Sequence, residues 1–336
     1  MKVDGGIGGD LAKAGAAARR VEKLGYDGAW SAETQHDPFF PLVIAAEHTE
    51  RLELGTGIAV AFARNPMTTA QAGWDLQTYS GGRLMLGLGS QIRAHIEKRF
   101  SMPWSHPAPR MREFILAMRS IWACWQDGTP LQFEGEFYTH KLMTPFFNPG
   151  PTPHGAPRVF LAAVGEVMTE VCGEVADGML AHGFTTERYL REVTLPALER
   201  GFAKGGRRRE GFEISCPVFI VTGQDDRTRE AAATGVRQQI AFYGSTPAYR
   251  GVLELHGWGD LQPELNALSK QGKWEEMGGL IDDDILDAFA VVAAPDEVAE
   301  RVRRRFDGIL DRLSFYLPYQ APEESLGAML AGFRAA

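Results

Sequence analysis

Apolar residues along the chain gather in short blocks rich in Val, Leu, Ala and Gly, separated by stretches in which apolar positions recur every three or four residues. Such blocks read as strands buried on both faces, and the periodic stretches read as amphipathic helices. The clearest unit is residues 51–91, RLELGTGIAVAFARNPMTTAQAGWDLQTYSGGRLMLGLGSQ. An apolar block over 52–60 leads to a helix over 66–79, which Pro66 opens and Ser80-Gly81-Gly82 closes, and a second block follows over 83–88. Strand, helix, strand in that order is the grammar of a parallel sheet.

The rest of the chain repeats it. Strands are predicted over 2–5, 27–32, 52–60, 83–88, 158–163, 178–182, 212–221 and 312–316, each followed by a helix candidate. Eight strand-helix units predict one α/β domain over residues 1–336, a (β/α)8 TIM barrel. An open doubly wound sheet is the alternative, but it would leave at least two of these strands unplaced. Insertions are expected at 91–109, at 129–154 and at 244–290. The second alternates apolar and polar residues around Glu134-Gly135 as a hairpin would, and the third, rich in Trp, Gly and charge, reads as extra helices. Asp10 is placed to cap the first helix, over 10–24, and Trp122 and Trp125 fall on the apolar face of a helix over 110–125 as core residues.

Composition narrows the class. A net charge of −8 argues against a dedicated nucleic-acid or anionic-membrane surface. Cys124, Cys172 and Cys216 are odd in number and widely spaced, which fits core filling in a reducing compartment better than a disulfide framework. The opening stretch MKVDGGIGGDLAKAG lacks the apolar centre of a secretion signal, and no run approaches the roughly 18 apolar residues of a membrane span, so a cytoplasmic location is expected. GGIGGD lacks the third glycine of a dinucleotide loop, and neither HExxH, CxxC nor GxSxG occurs, so no metal is expected.

In a barrel of this kind, chemistry sits at the C-terminal ends of the strands. Strand one offers Asp4, which either caps a neighbouring loop or lines a ring pocket. Strand two offers Glu33, Thr34 and His36. Glu33 and His36 form either a carboxylate-imidazole pair able to move protons near neutral pH or a capping network before Pro38. Gly57 in strand three would let a flat ligand approach closely. Strand four offers Gly89, Ser90 and Gln91, and strand six His182, Gly183 and Phe184. Ala162-Ala163-Val164-Gly165 ends strand five where a helix begins, and free backbone N–H groups there favour an anion. Glu166 would oppose a phosphate unless it points away; Arg188, Tyr249 and Arg250 are further candidates, and Arg207 to Arg209 read as a solvated face.

LGTGIAVAFARNP, QTYSGGRLMLGLGSQ and GEVADGML together resemble the luciferase-like monooxygenase superfamily, particularly its branch of oxidoreductases that use the deazaflavin coenzyme F420. The resemblance implies acidic and His residues at the end of strand two, where Glu33 and His36 stand, close to the reactive ring carbon, a non-prolyl cis peptide at Gly57-Ile58 behind the ring, and a phosphate held near Ala162 to Gly165, with the strand-four and strand-six candidates as further cofactor-binding residues. It also implies hydride transfer between F420 and a small organic substrate, with Glu33 or His36 managing the proton, and a homo-oligomer. Some relatives carry a catalytic Glu just after the strand-four glycines; Ser90-Gln91-Ile92 stands there instead, and Gln91, Arg93 and His95 are the candidates to replace it. Two alternatives remain open: an FMN-dependent monooxygenase served by a reductase, and a non-catalytic flavin-binding barrel.

Overall fold

The structure is a computed structural model and describes residues 1–334. Eight parallel strands form a ring: β1 (Lys2–Gly6), β2 (Gly28–Ser31), β3 (Glu53–Thr56), β4 (Leu84–Gly89), β5 (Arg158–Ala163), β6 (Gly178–Ala181), β7 (Glu213–Val221) and β8 (Arg312–Tyr316). Pairing of Val3 with Leu313 joins β1 to β8 and closes the barrel, so the open doubly wound sheet is excluded. The principal helices outside it are α1 (Leu11–Leu24), α2 (Phe39–His48), α3 (Pro66–Tyr79), α4 (Pro107–Asp127), α5 (Glu166–Val175), α6 (Leu195–Gly205), α7 (Asp226–Gly244), α8 (Val298–Phe306) and α9 (Glu323–Arg334).

Local sequence accounts for the helix ends. The Asp10 carboxylate accepts the Ala12 N–H at the start of α1, and the Asn65 side chain accepts the Thr68 N–H at the start of α3, where Pro66 has no N–H to leave unpaired. On α4, Phe114, Met118, Trp122 and Trp125 recur on one face and are buried, and the Trp122 indole donates to the Ala70 carbonyl at 3.1 Å. Burying each such side chain contributes about 1.5–3 kcal/mol, enough to fix the helix against α3.

Two elements depart from the apolar pattern. The block over 52–60 is not one strand: β3 stops at Thr56, the peptide between Gly57 and Ile58 is cis, as expected for that position, and pairing with β4 resumes at Ala59–Val60. A ninth parallel strand, Ala290–Val292, lies beside the end of β7 outside the ring. The sequence carries no sign of it, Ala290 falling at the end of the expected helical insertion and Val291 and Val292 just beyond it, because a strand so short has no period to detect. The insertions otherwise take the expected forms. Phe133–Glu134 pairs antiparallel with Thr139–His140, and the Glu113 carboxylate on α4 accepts the N–H groups of Glu136 and Phe137 at 2.9 and 2.7 Å to hold that hairpin. Short helices fill most of the stretch between α7 and Ala290.

The barrel interior is layered. At the N-terminal mouth, Arg312 grips both oxygens of Asp4, at 2.7 and 2.9 Å, and also reaches Glu53 at 2.7 Å and Glu213 at 3.1 Å. Lys2 and Arg158 add further bonds to the same two glutamates. Burial alone would raise the Glu53 carboxyl, but Arg312, Lys2 and Arg158 overcome that and hold it down to about 2. Above this ionic plug lies Trp30, whose indole donates to Asp4 at 3.0 Å and whose ring meets Phe160 edge-on at 5.9 Å.

Candidate active site

Over Trp30, at the C-terminal ends of the strands, opens a cleft of about 1030 Å³. Its floor is made of residues on or just beyond the barrel strands, among them Gly57, Ile58, Gly89, Leu180, Ser215 and Ser314. One wall comes from Gln91 to Arg93 and from Trp104 to Pro109, another from residues 162–168, and Ala248 with Tyr249 reaches in from the long insertion. The lining is mostly apolar, which suits a flat aromatic ring and strengthens any polar contact made inside.

Of the residues expected to bind a cofactor, Gly57, Ile58, Gly89, Ser90, Gln91, Ala162, Ala163, Val164, Gly165 and His182 all line this cleft. Gly183 and Phe184 do not. Gly183 is buried, and the Phe184 ring packs on Phe289 at 4.6 Å in a second apolar cluster beneath the insertion. Asp4, Glu33 and His36, the candidates from strands one and two, also lie elsewhere. Asp4 is in the plug below Trp30, because the register sets it level with Gly28, at the start of β2, and not at a strand end. The Glu33 carboxylate turns sideways to accept the Val60 N–H at 2.7 Å and an Arg64 N–H at 2.5 Å, pinning the segment that follows the cis peptide. His36 is exposed on the outside of the rim and lies against Gly9. The placement makes Asp4 and Glu33 supporting residues and leaves His36 out of the cleft.

The strand-five turn has the geometry of an anion site. Gly165 adopts φ 77° and ψ 157°, a backbone region open essentially to glycine, and α5 starts at the next residue, so its first-turn N–H groups are not used within the helix. Residues 164–168 face the cleft. Glu166 is tied to Arg200 on α6 at 2.7 Å, which offsets its charge at this turn. Arg188 and Arg250 are each committed to a glutamate on their own helical turn, at 3.0 and 2.7 Å. Arg207 and Arg209 are not a solvated face: they bind the carbonyls of Ala176 and Phe212 and the carboxylates of Asp177 and Asp311 near the N-terminal mouth. The Gln91 side-chain oxygen accepts the Ile92 N–H at 2.8 Å, so only its amide nitrogen is free to face a ligand.

His182 is the most constrained polar group in the cleft. Its Nδ1 accepts the Phe184 N–H at 3.0 Å, its ring stacks on Tyr249 at 4.5 Å, and Tyr243 meets it edge-on at 4.7 Å. Burial pushes its pKa down to about 4, so the imidazole is neutral at pH 7. Trp30, Ser215 and Ser314 were not singled out from the sequence. The two serines follow the inward period of β7 and β8, a signal available only once barrel closure is known.

Comparison with known proteins gives three kinds of match. The family model described as luciferase-like monooxygenase matches residues 2–312. The uncharacterized protein Rv1360 of Mycobacterium tuberculosis is 63% identical over 336 residues, 99% of this chain and 98% of that one. The 5,10-methylenetetrahydromethanopterin reductase of Archaeoglobus fulgidus is 28% identical over 291 residues, covering 84% and 82% of the two chains. Among solved structures, the coenzyme F420 dependent tetrahydromethanopterin reductase of Methanopyrus kandleri superposes with a TM-score of 0.80 at 20% identity, covering 98% of this chain and 97% of that one. This last likeness bears on the fold.

Proposed function

The chain belongs to the luciferase-like monooxygenase family, and on that premise we propose that it is an F420-dependent oxidoreductase acting on a small organic substrate. The observation that carries this reading is the pairing, in one apolar cleft, of a glycine-floored slot with a helix N-terminus. A Cβ on Gly89 would stand 2.9 Å from Ile58 Cδ1, so any side chain at residue 89 would crowd Ile58 on the floor of the slot. The residues fit a flat three-ring cofactor with a phosphate arm: Gly57, Ile58, Gly89 and Ser90 would hold the ring, and the first turn of α5 would hold the phosphate. A deazaflavin bound there would supply two-electron hydride chemistry. The protein's part is to orient ring and substrate and to exclude water, for which the apolar walls and Tyr249 are suited.

The test is direct binding. Fluorescence titration of the purified protein with oxidised F420 and, separately, with FMN is expected to give the tighter dissociation constant for F420. Tight FMN binding without F420 binding, with oxygen consumption in the presence of reduced flavin, would overturn the proposal and make the protein a flavin monooxygenase. Tight F420 binding with no turnover across alcohols, aldehydes and enones would make it a binding protein.

A further inference from the structure

Resting on the reading just given, we infer that His182 is a fixed, uncharged hydrogen-bond donor: its Nε2–H holds the oxygen of a carbonyl substrate on which negative charge gathers, and the ring does not itself take up a proton. The basis is geometric. An imidazole nitrogen that accepts a backbone N–H carries a lone pair there, so the single ring proton of the neutral form resides on the other nitrogen. Nδ1 accepts from Phe184, which places the proton on Nε2. Among the described residues Nε2 has no hydrogen-bond partner, and it is not sealed from solvent. Since Nδ1 is turned to the chain and His182 lines the cleft, Nε2 is the vertex left for a ligand.

Proton uptake would have to occur at Nδ1 and would break the Phe184 bond. The groups packed on the ring are Tyr243, Tyr249 and, through the His182 carbonyl, the Cys216 thiol, none of them a carboxylate that would favour an imidazolium. Of the other ionisable groups lining the cleft, Arg93 is paired with Glu97 and Glu166 with Arg200. The Gln91 amide nitrogen and the Tyr249 hydroxyl also belong to the cleft lining, but His182 is the donor whose ring and proton position are both fixed by its neighbours. In the reducing direction a reduced deazaflavin held in the slot would supply the hydride for the new C–H bond, and the carbonyl π pair would move to oxygen. Nε2–H stabilises that oxygen, and a water-borne proton then neutralises it.

Nitrogen-15 NMR of histidine-labelled protein tests this without turnover. In the cofactor-free protein the His182 signal, assigned by its loss in His182→Phe, is expected to show a protonated Nε2 and an unprotonated Nδ1, unchanged between about pH 5.5 and 8. A protonated Nδ1, or a titration midpoint near the ordinary histidine value, would overturn the inference. With oxidised F420 bound, so that no hydride is available, cyclohexanone is expected to move the Nε2 proton downfield. No movement up to the solubility limit of the ketone would overturn it as well. The same movement with FMN bound and F420 unable to bind would sink the cofactor assignment and leave the role of His182 standing.

Discussion

Replacing Arg312 with Met takes the one cation that holds Asp4 out of the barrel's ionic plug. Glu53 and Glu213 keep Lys2 and Arg158, whereas Asp4, 1% exposed, keeps only the Trp30 indole. Removing one partner of a buried pair costs about 3–5 kcal/mol. An independent bound comes from the carboxyl's escape route, which is to take up a proton. From an unfolded value of about 3.9, doing so at pH 7 costs about 4 kcal/mol, and the cost falls by about 1.4 kcal/mol for each pH unit lost. In the native protein burial already pushes the Asp4 carboxyl up, while Arg312 and Trp30 pull it back toward the ionised form. Without Arg312 its folded pKa rises further above the unfolded one, so the folded variant binds the extra proton and gains relative stability as pH falls. Glu53 moves the native protein the opposite way. Its folded value of about 2 lies below the unfolded one, so its contribution is full above the unfolded pKa and is lost as pH falls toward 2. The gap between native and Arg312→Met should therefore shrink from about 4 kcal/mol at pH 7 to about 1 kcal/mol near pH 4.5. Equilibrium urea unfolding at three pH values, followed by tryptophan fluorescence, measures it. A gap independent of pH, or smaller than about 1 kcal/mol at pH 7, would refute the reasoning. The Asp4→Asn/Arg312→Met double variant should recover most of the loss, because it removes the stranded charge.

Three further outcomes follow from the site. Gly87→Ala should abolish or severely impair folding, since its Cβ would lie 1.9 Å from the Thr56 carbonyl oxygen, whereas Gly89→Ala meets side-chain atoms alone, Ile58 Cδ1 and Cγ1 at 2.9 and 3.0 Å and Ala162 Cβ at 3.5 Å, and should fold yet bind cofactor weakly; expression and circular dichroism against ligand titration separate the two. Gly165→Ala should strain the α5 turn by about 1–3 kcal/mol and weaken FMN binding about tenfold while changing riboflavin, which lacks the phosphate, by much less; equal losses for both ligands would remove the turn from the phosphate site. Glu33→Gln should cost about 1–2 kcal/mol by weakening the clamp on Val60 and Arg64, and should lower cofactor affinity although Glu33 does not line the cleft; an unchanged affinity in fluorescence titration would show that the clamp does not support the slot.

The eight barrel strands were legible because strands covered on both faces are continuous apolar blocks, and barrel topology then assigns their ends to one mouth. That is why backbone positions such as Gly57, Gly89 and Gly165 could be placed in the cleft from the sequence. The roles of charged side chains were not legible, because each is set by a partner far along the chain. Asp4 belongs with Arg312, 308 residues away, and Glu33 with Arg64, 31 residues away. A carboxylate near a strand end looks the same in sequence whether it faces a ligand or a guanidinium. His182 was read as a ring-pocket residue, but the bond that sets its tautomer comes from the backbone of Phe184, two residues on, where no side-chain pattern records it.

Placing its charges at one mouth and its apolar cleft at the other has a mechanical consequence for this barrel. Six ionic side chains from β1, β3, β5, β7 and β8 cross-link the N-terminal ends of the strands, and each of those strands runs from the plug toward the cleft. The cleft floor sets Gly57, Gly89, Ser215 and Ser314 among the larger Trp30, Ile58 and Leu180. Its strands are fixed from below by the plug, and the β3 kink is clamped from the side by Glu33 and Arg64. Asp4 and Glu33, two carboxylates that the sequence offers as site candidates, are thus in the folded chain groups that hold the strands beneath and beside the slot, and the polar groups inside it are backbone N–H groups, the Gln91 amide, a few hydroxyls and one neutral imidazole.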